Sequence, residues 1–298
     1  MNTVKIAFRN VWGPSSDFTI QYWLQMFPYL AGQYNFVIND RDPDVVFYSV
    51  YGYHAKVNER AVRVLFCGEP GDWFAAGAKV KPGDPSVTEA GFFHYGLTMA
   101  AENTHPNHIY MPLMCLHLHL YNRGPQDLVR TGEPPPQKDF FCDFIYSNGN
   151  SQVRIDFFKK LSAYRRVESP GAVEHNRPFL AWGYPAKQAF QSRCKFSIAF
   201  ENTYFPGYTS EKLSDPLVAR SVPIYSGNPR VDEICSPHSF INADKFASHE
   251  EAIEYIKRVD QDEALYRSYI EEPPFIGNQV PTRFTDETYL AFWRRIFG

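Results

Sequence analysis

The chain has 298 residues, 44% hydrophobic and 21% charged, which suits about two domains with packed cores and excludes a disordered chain. Its net charge of −3 argues against nucleic acid as a partner, because phosphate backbones favour strongly basic faces; a local basic pocket for one small phosphate ligand stays open. The five cysteines (67, 115, 142, 194 and 235) are odd in number and form no CxxC pair, so they read as free thiols in a reducing compartment rather than a disulfide framework or a zinc site.

The N-terminus, MNTVKIAFRNVWG, reads as a first strand and lacks the layout of a signal peptide. Strands are expected at 4–8, 34–39, 44–50 and 62–68, with a helix between the first two, capped by Asp17 or Thr19 and stopped by Gly32. The Asp-Pro-Asp at 42–44 reads as a turn ahead of a strand rather than a metal-binding Asp-X-Asp. The most apolar run, 109–121, is broken by two His and a Pro and is shorter than the roughly 20 residues a bilayer span needs. A soluble, cytoplasmic protein is the expectation.

Three consecutive prolines at 134–136 can continue neither a helix nor a central strand, and mark a linker within 131–139. Beyond it the rhythm repeats. A strand is expected at 141–148, a helix at 151–164 capped by Ser151 with Ile155, Phe158 and Leu161 inward, a strand at 195–200, a helix at 210–221 with Pro216 near its first turn, and a strand at 222–227. Surface helices follow. Near-continuous apolar strands alternating with helices indicate parallel sheets covered on both faces. The expected architecture is two α/β lobes, 1–136 and 137–280, with a cleft between them and a last helix within 281–298. That helix carries Tyr289, Phe292, Trp293, Ile296 and Phe297 mostly on one side, with Arg294 and Arg295 beside them. It either crosses back onto the first lobe or lies on a membrane surface as a peripheral anchor.

The stretch FENTYFPGYTSEKL, 200–213, gathers carboxylates, hydroxyls and a lysine between two apolar segments. It spans a strand's carboxyl end and a helix start, where ligands of α/β sheets bind. The free N–H groups of a helix start attract phosphate, and Ser210 is the expected cap. Lys212 in the first turn opposes the helix dipole, and a local rule broken near a strand end hints at function. Glu201 and Glu211 could accept hydrogen bonds from sugar hydroxyls. Arg154 stands at a second helix start after SNGNSQ, where a guanidinium fork suits a diphosphate. Glu69 ends the strand VRVLFCG and is placed to be a general base. His94 and His175 are further candidate bases. Each of these also has a plain reading as a capped turn or a solvated surface group.

The block FSIAFENTYFPGYTSEKLSDPLVARSVPIYSGNP, 196–229, resembles the signature of the α1,3-fucosyltransferases of glycosyltransferase family 10, especially their soluble bacterial members. A strand ending in FEN, a Tyr-X-Thr/Ser-Glu-Lys helix start and a VP-aliphatic-aromatic-X-Gly strand occur in the family's order and spacing. CGEP at 67–70 and SNGNSQVRIDFFKKL at 147–161 resemble the family's base and donor-phosphate segments. The resemblance implies a GT-B-type fold of two Rossmann-like lobes, an N-terminal one for the acceptor and a C-terminal one for GDP-fucose. It maps the acceptor-activating base onto Glu69 and donor binding onto Arg154, Asn202, Tyr208, Glu211 and Lys212, with Glu201 beside them. Trp73 and His94 are the candidates for the acceptor side. Two departures touch that side: Pro70 stands where the family more often has Asn, and residues 71–91 make a longer segment.

The reaction so implied is an inverting transfer of L-fucose from GDP-fucose to a glycan hydroxyl, α1,3-linked to GlcNAc or Glc, with no metal or other cofactor. Arg154 and Lys212 would stabilise the leaving diphosphate, and Glu211 or Glu201 the positive charge on the sugar. The alternatives are a GT-B transferase using another nucleotide sugar, or a non-catalytic module that binds a nucleotide sugar or glycan.

Overall fold

The computed structural model describes residues 2–9, 11, 19–50, 60–76, 92–181 and 183–298. Asp17 and most of the 71–91 segment lie outside them. In chain order the first half holds β1 (Thr3–Arg9), α1 (Ile20–Met26), β2 (Asn35–Ile38), β3 (Val45–Tyr48), β4 (Val62–Phe66), α2 (Trp73–Ala76), β5 (Tyr95–Thr98), β6 (His108–Tyr110) and α3 (Leu113–His119). The second half holds β7 (Phe140–Asp143), α4 (Gln152–Tyr164), β8 (Val167–Glu168), α5 (Tyr184–Gln191), β9 (Cys194–Phe200), α6 (Glu211–Val218), β10 (Val222–Ser226), β11 (Ile241–Asn242), α7 (His249–Gln261), α8 (Glu263–Glu271) and α9 (Asp286–Phe297).

The chain divides into two compact units. The first is Met1–Gly124 with Phe205–Tyr208 and Pro281–Gly298; the second is Pro125–Tyr204 with Thr209–Val280. The expected 136/137 boundary therefore falls inside the second unit. Within the first unit six strands form one sheet in the order β2-β1-β3-β4-β5-β6, all parallel. Its core gathers Ile6, Phe8, Phe47, Val64 and Phe66 from the strands with Trp23, Met26 and Phe27 from α1 and its end. Thr19 caps α1 by accepting from the Tyr22 amide at 3.2 Å, and Gly32 follows with φ +79°, a backbone that glycine adopts without a Cβ penalty. The last helix, α9, closes this core. Trp293 is fully buried, stacks edge-on against Trp23 and Phe27 at 5.6 and 5.1 Å, and donates its indole N–H to the Tyr29 hydroxyl at 3.3 Å. The apolar face a membrane anchor would present is thus spent inside the unit. No helix among the described residues is long and apolar enough to cross a membrane.

The Asp-Pro-Asp turn serves β1. Asp44 accepts from the Lys5 amide at 2.8 Å and Asp42 pairs with the Lys5 ammonium at 3.2 Å. The apolar run at 109–121 becomes the end of β6 and then α3, with Pro112 at the N-cap, where a missing N–H costs little.

The second unit's sheet runs β11-β10-β9-β7-β8, again all parallel. After β7 the chain places β8 on one side, then returns to lay β9, β10 and β11 on the other. The strand order therefore reverses between β7 and β9. In open α/β sheets such a switch point leaves a crevice at the carboxyl ends of the strands, and ligands bind there. The core of this unit is Phe144, Phe157, Phe158, Leu161, Phe196, Ile198 and Ile224, covered by Ile253, Ile256 and Ile270 of α7 and α8. All five cysteines are buried free thiols.

Three local expectations need correction. Ser151 occupies the N-cap of α4 but makes no side-chain cap bond. The inward face of that helix is Arg154, Phe157, Phe158 and Leu161, with Ile155 only half-buried. Helix α6 starts at Glu211, so Pro216 lies in its second turn rather than its first.

Candidate active site

The second unit brings Arg154, Glu201, Asn202, Glu211 and Lys212 to the β7/β9 switch point. Arg154 projects from the first turn of α4, after β7; the others follow β9. Arg154 is 1% exposed, and no carboxylate among the described residues pairs with it. Its Nη2 donates to Asn202 Oδ1 at 2.6 Å and to the Glu201 carbonyl at 3.2 Å. The guanidinium lies 4.3 Å from the ring centroid of Tyr146. Its Nε is buried with no hydrogen-bond partner. An arginine so enclosed is ordinarily matched by an anion, so this one is short of a counter-charge.

Tyr146 fixes the floor beneath it. Its hydroxyl donates to the Ile198 and Phe200 carbonyls at 3.0 and 3.2 Å and accepts from the Phe200 amide at 2.8 Å, tying β7's exit to β9. This residue was not singled out in the sequence; the only cue is a tyrosine at the end of an apolar strand.

Glu201 is placed differently from expectation. Its side chain is fully enclosed. One carboxylate oxygen accepts from the Ser210 amide at 2.7 Å, and the other from the Ser210 hydroxyl at 2.6 Å. Glu201 therefore holds the start of α6 onto the end of β9 and is not available to donor hydroxyls. Burial raises its pKa, with Glu211 adding to the rise and Lys212 and Ser210 opposing it. Ser210 is the N-cap of α6 as expected, accepting from the Lys212 amide. Lys212 Nζ stands 3.1 Å from both Ser210 Oγ and Glu211 Oε1, and 3.6 Å from Glu201 Oε2. This cage explains how a lysine is tolerated against the helix dipole.

Two glycines make these approaches possible. A Cβ on Gly227, at φ +154°, would meet the Glu201 side chain. A Cβ on Gly207, at φ +94°, would overlap the Met99 carbonyl, and the Gly207 carbonyl accepts from the Tyr110 hydroxyl at 2.9 Å. Asn228, buried, donates its side-chain amide to Thr209 Oγ1 at 2.9 Å and its backbone amide to the Tyr225 hydroxyl oxygen at 3.0 Å. Sequence reasoning passed over Tyr225, Asn228 and the Thr209 contact, because each is defined by a partner distant in the chain.

Of the remaining candidates, Glu69, Trp73, His94 and Tyr208 belong to the first unit and His175 to the second. Glu69 follows β4 in a turn; it is half-buried, and its amide donates to Cys67 Sγ at 3.3 Å. Burial pushes the Cys67 thiol up to about 12, keeping it neutral. Trp73 opens α2 with its indole N–H buried and without a hydrogen-bond partner among the described residues, and Gly71 packs against its ring. Tyr208 is buried in the Phe205–Tyr208 segment. His94 lies at the other end of the sheet from Glu69: its ring nitrogens meet the Arg63 amide and guanidinium at 3.2 and 2.8 Å, at the amino ends of β4 and β5. The structure thus does not bring His94 to Glu69. His175 is exposed on the loop after β8. Among the described residues no three of His, Cys, Asp and Glu cluster so as to hold a metal ion.

Residues 135–272 match the family model for glycosyltransferase family 10 (fucosyltransferase), C-terminal part. They are a glycosyltransferase family 10 domain. Among curated relatives, an alpha-(1,3)-fucosyltransferase FucT of Helicobacter pylori is 34% identical over 146 residues, covering 49% of this chain and 30% of that protein. A putative fucosyltransferase R654 of Acanthamoeba polyphaga mimivirus is 32% identical over 150 residues, covering 47% of this chain and 25% of the other. The chain spans about a third or less of the length of these two relatives. Solved structures reach further along the chain. An alpha1,3-fucosyltransferase solved with GDP-fucose matches over 100% of this chain and 91% of its own at a TM-score of 0.75 and 21% identity. The enzyme solved with GDP matches over 99% and 90% at 0.74 and 23%. At such identities the likeness establishes the fold alone, which is the GT-B fold along both halves of the chain.

Proposed function

We propose that the chain is an inverting fucosyltransferase that moves L-fucose from GDP-fucose to a hydroxyl of a glycan. The carrying observation is Arg154: a buried guanidinium without a carboxylate, at the switch point of the family 10 domain, one turn into α4 and beside Asn202. A diphosphate supplies the counter-charge that the protein withholds. Lys212 adds a second cation at the start of α6, its cage of Glu201 and Glu211 holding it there until an anion competes for it. The structural relatives solved with GDP and with GDP-fucose agree with such a donor.

In the proposed reaction the bond between the sugar's anomeric carbon and the β-phosphate oxygen breaks, and GDP leaves with the electron pair. The acceptor oxygen bonds to the same carbon from the opposite face, which inverts a β-linked donor into an α-linked product. Glu69 takes the acceptor proton. Arg154 and Lys212 stabilise the charge gathering on the diphosphate, so the scheme needs no metal. Glu211, part-exposed beside Lys212, is the carboxylate left to face the positive charge on the sugar, since Glu201 is enclosed. Acceptor binding is assigned to the unit that holds Glu69 and Trp73. Incubation of the protein with GDP-fucose and a glycan array, read by mass spectrometry, should yield products heavier by one fucose, α1,3-linked to GlcNAc or Glc. Transfer from UDP- or ADP-sugars, with none from GDP-fucose, would overturn the donor.

A further inference from the structure

The amino ends of β7, β9 and β10, at the edge of the second unit's sheet opposite the crevice, gather cations that the donor reading does not use. Arg130 and Lys138 come from the segment leading into β7, and Arg220 from the turn between α6 and β10. Arg130 and Arg220, with Arg267 of α8, line a cavity of about 400 Å³ walled by Pro134 and Pro135. We propose that this cavity is a separate anion site, holding the phosphate of a phosphomonoester between Arg130 and Arg220.

The three inner cations are served by backbone carbonyls alone. Arg130 Nη1 donates to the Leu217 carbonyl, in the last turn of α6, at 3.1 Å. Arg220 Nη1 and Nη2 donate to the Glu133 and Ile270 carbonyls at 2.8 and 3.5 Å. The Nε of each arginine is buried with no hydrogen-bond partner. Lys138 Nζ donates to the Ser192 and Arg220 carbonyls. No carboxylate among the described residues forms an ion pair with any of the three. Glu133 and Glu271 act on Arg220 from further away, and Glu271 is itself paired with Arg267 at 3.5 Å.

The end of α6 does not account for this cluster. One cation at a helix C-terminus gains about 0.3–1 kcal/mol from the dipole, but each further cation repels the first. Burial pushes Arg130 down to about 10, and the neighbouring Arg220 adds to the fall. Lys138 is down at about 8, again chiefly through burial, with Arg220 and Arg130 contributing. An anion between the guanidinium groups would relieve both effects.

The backbone holds the two arginines in place. The Arg130 amide donates to Asn278 Oδ1 at 2.7 Å, and its carbonyl accepts from Asn278 Nδ2 at 2.8 Å. Arg220 lies at φ +58°, where the Ser221 amide reaches back to the Pro216 carbonyl at 2.9 Å and closes α6. Glycine is the usual residue at such a helix stop, and a left-handed backbone costs a residue with a side chain about 1–2 kcal/mol. The chain keeps an arginine there. Small-molecule pockets measure roughly 300–1,000 Å³, so the cavity also has room for an organic part of the ester against the two prolines.

Calorimetry with inorganic phosphate tests the site independently of the donor reading. Arg130→Met and Arg220→Gly should each weaken phosphate about tenfold or more, since each removes a charge-assisted contact. Arg220→Gly suits the positive φ, so its melting temperature in phosphate-free buffer should not fall. Its GDP affinity should equal the parent's, because the crevice is at the other edge of the sheet. Phosphate affinity unchanged in both variants overturns the site, and so does an equal loss for phosphate and GDP in Arg220→Gly. A free phosphomonoester and a lipid headgroup share this chemistry. Parent protein that floats with phosphatidylcholine vesicles only when they contain phosphatidic acid, while Arg220→Gly does not, assigns the phosphate to a lipid. Parent protein that binds inorganic phosphate and does not float assigns it to a soluble ester. A parent that does neither overturns the proposal.

Discussion

Replacing Arg154 by Met keeps most of the buried stem and removes only the charged head. That head is held by two hydrogen bonds and one ring contact, against the cost of an enclosed charge that no carboxylate among the described residues pairs with. Hydrogen bonds to a charged group are worth about 1.5–3 kcal/mol each and a desolvated cation–π contact about 2 kcal/mol. Burial of an unpaired ion costs several kcal/mol. These terms nearly cancel. Asn202 is exposed, so water replaces the lost donor there. Arg154→Met should therefore change unfolding stability by no more than about 1–2 kcal/mol in a denaturant titration. A phosphate oxygen, by contrast, gains charge-assisted bonds that Met cannot make, so GDP affinity should fall by about 10–150-fold by calorimetry. Arg154→Lys, which keeps charge but not the planar fork, should fall between. If Arg154→Met lowers stability by more than about 4 kcal/mol and the Lys variant binds GDP like the parent, Arg154 is a strut and the reasoning from its missing counter-charge fails.

Four further outcomes are expected. Lys212→Ala should weaken GDP about tenfold or more in a titration carried out with chelator present, since one charge-assisted contact is lost; binding that appears only on adding Mg²⁺ or Mn²⁺ would contradict the metal-free scheme. Glu69→Gln should cut fucose transfer by about 10²–10⁴ while GDP affinity stays level, and a rate within a few-fold of the parent would remove Glu69 as the base. Trp293→Ala should cost about 3–5 kcal/mol in chemical denaturation, as large aromatic truncations in cores do. Asp143 is pushed up to about 6 by burial, partly offset by Ser197 and Lys187; its folded pKa is above its unfolded one, so its contribution is full below about pH 4 and is lost as pH rises through 6. By that shift of about two units, Asp143→Asn should recover up to ~3 kcal/mol of stability at pH 8 relative to its value at pH 4, when both are compared with the parent.

The strands that were legible, β1, β2, β3, β4, β7, β9 and β10, are runs rich in β-branched and aromatic residues, and all but β2 are largely buried. Those that were not, β5, β6, β8 and β11, are two to four residues long and include Gly96, His108 and Asn242, so composition gives no signal. Helix α3 escaped because Met114, Cys115, Leu116 and Leu118 are all buried, which leaves no periodic polar face. In the site, the helix starts at 152 and 211 and the cap at Ser210 could be read locally, since caps depend on neighbours one to three residues away. The burial of Arg154 could not, because Asn202 stands 48 residues downstream. His94 illustrates the same limit from the other side. A histidine near a strand looks catalytic until the register shows which end of the sheet it occupies, and here Arg63 holds it at the amino end.

The crowded polarity of 200–213 divides into two kinds. Glu201, Thr209 and Ser210 are buried and bond to one another or to Asn228; they fix where α6 begins. Asn202, Glu211 and Lys212 retain exposure and stand where that beginning meets the switch point. A buried carboxylate raised by desolvation is a poor choice for stability alone, since an apolar pair would serve as well. It is a good choice for orientation, because its two oxygens grip both the amide and the hydroxyl of a single residue and so fix the helix in rotation as well as position. Gly227 belongs to this device, as any side chain there would displace Glu201. Lys212, the proposed donor cation, is two residues beyond the gripped serine, so small errors in that grip would move its ammonium directly. The sequence therefore spends its buried polarity on aiming the exposed polarity, which is the order of construction a preorganised phosphate site requires.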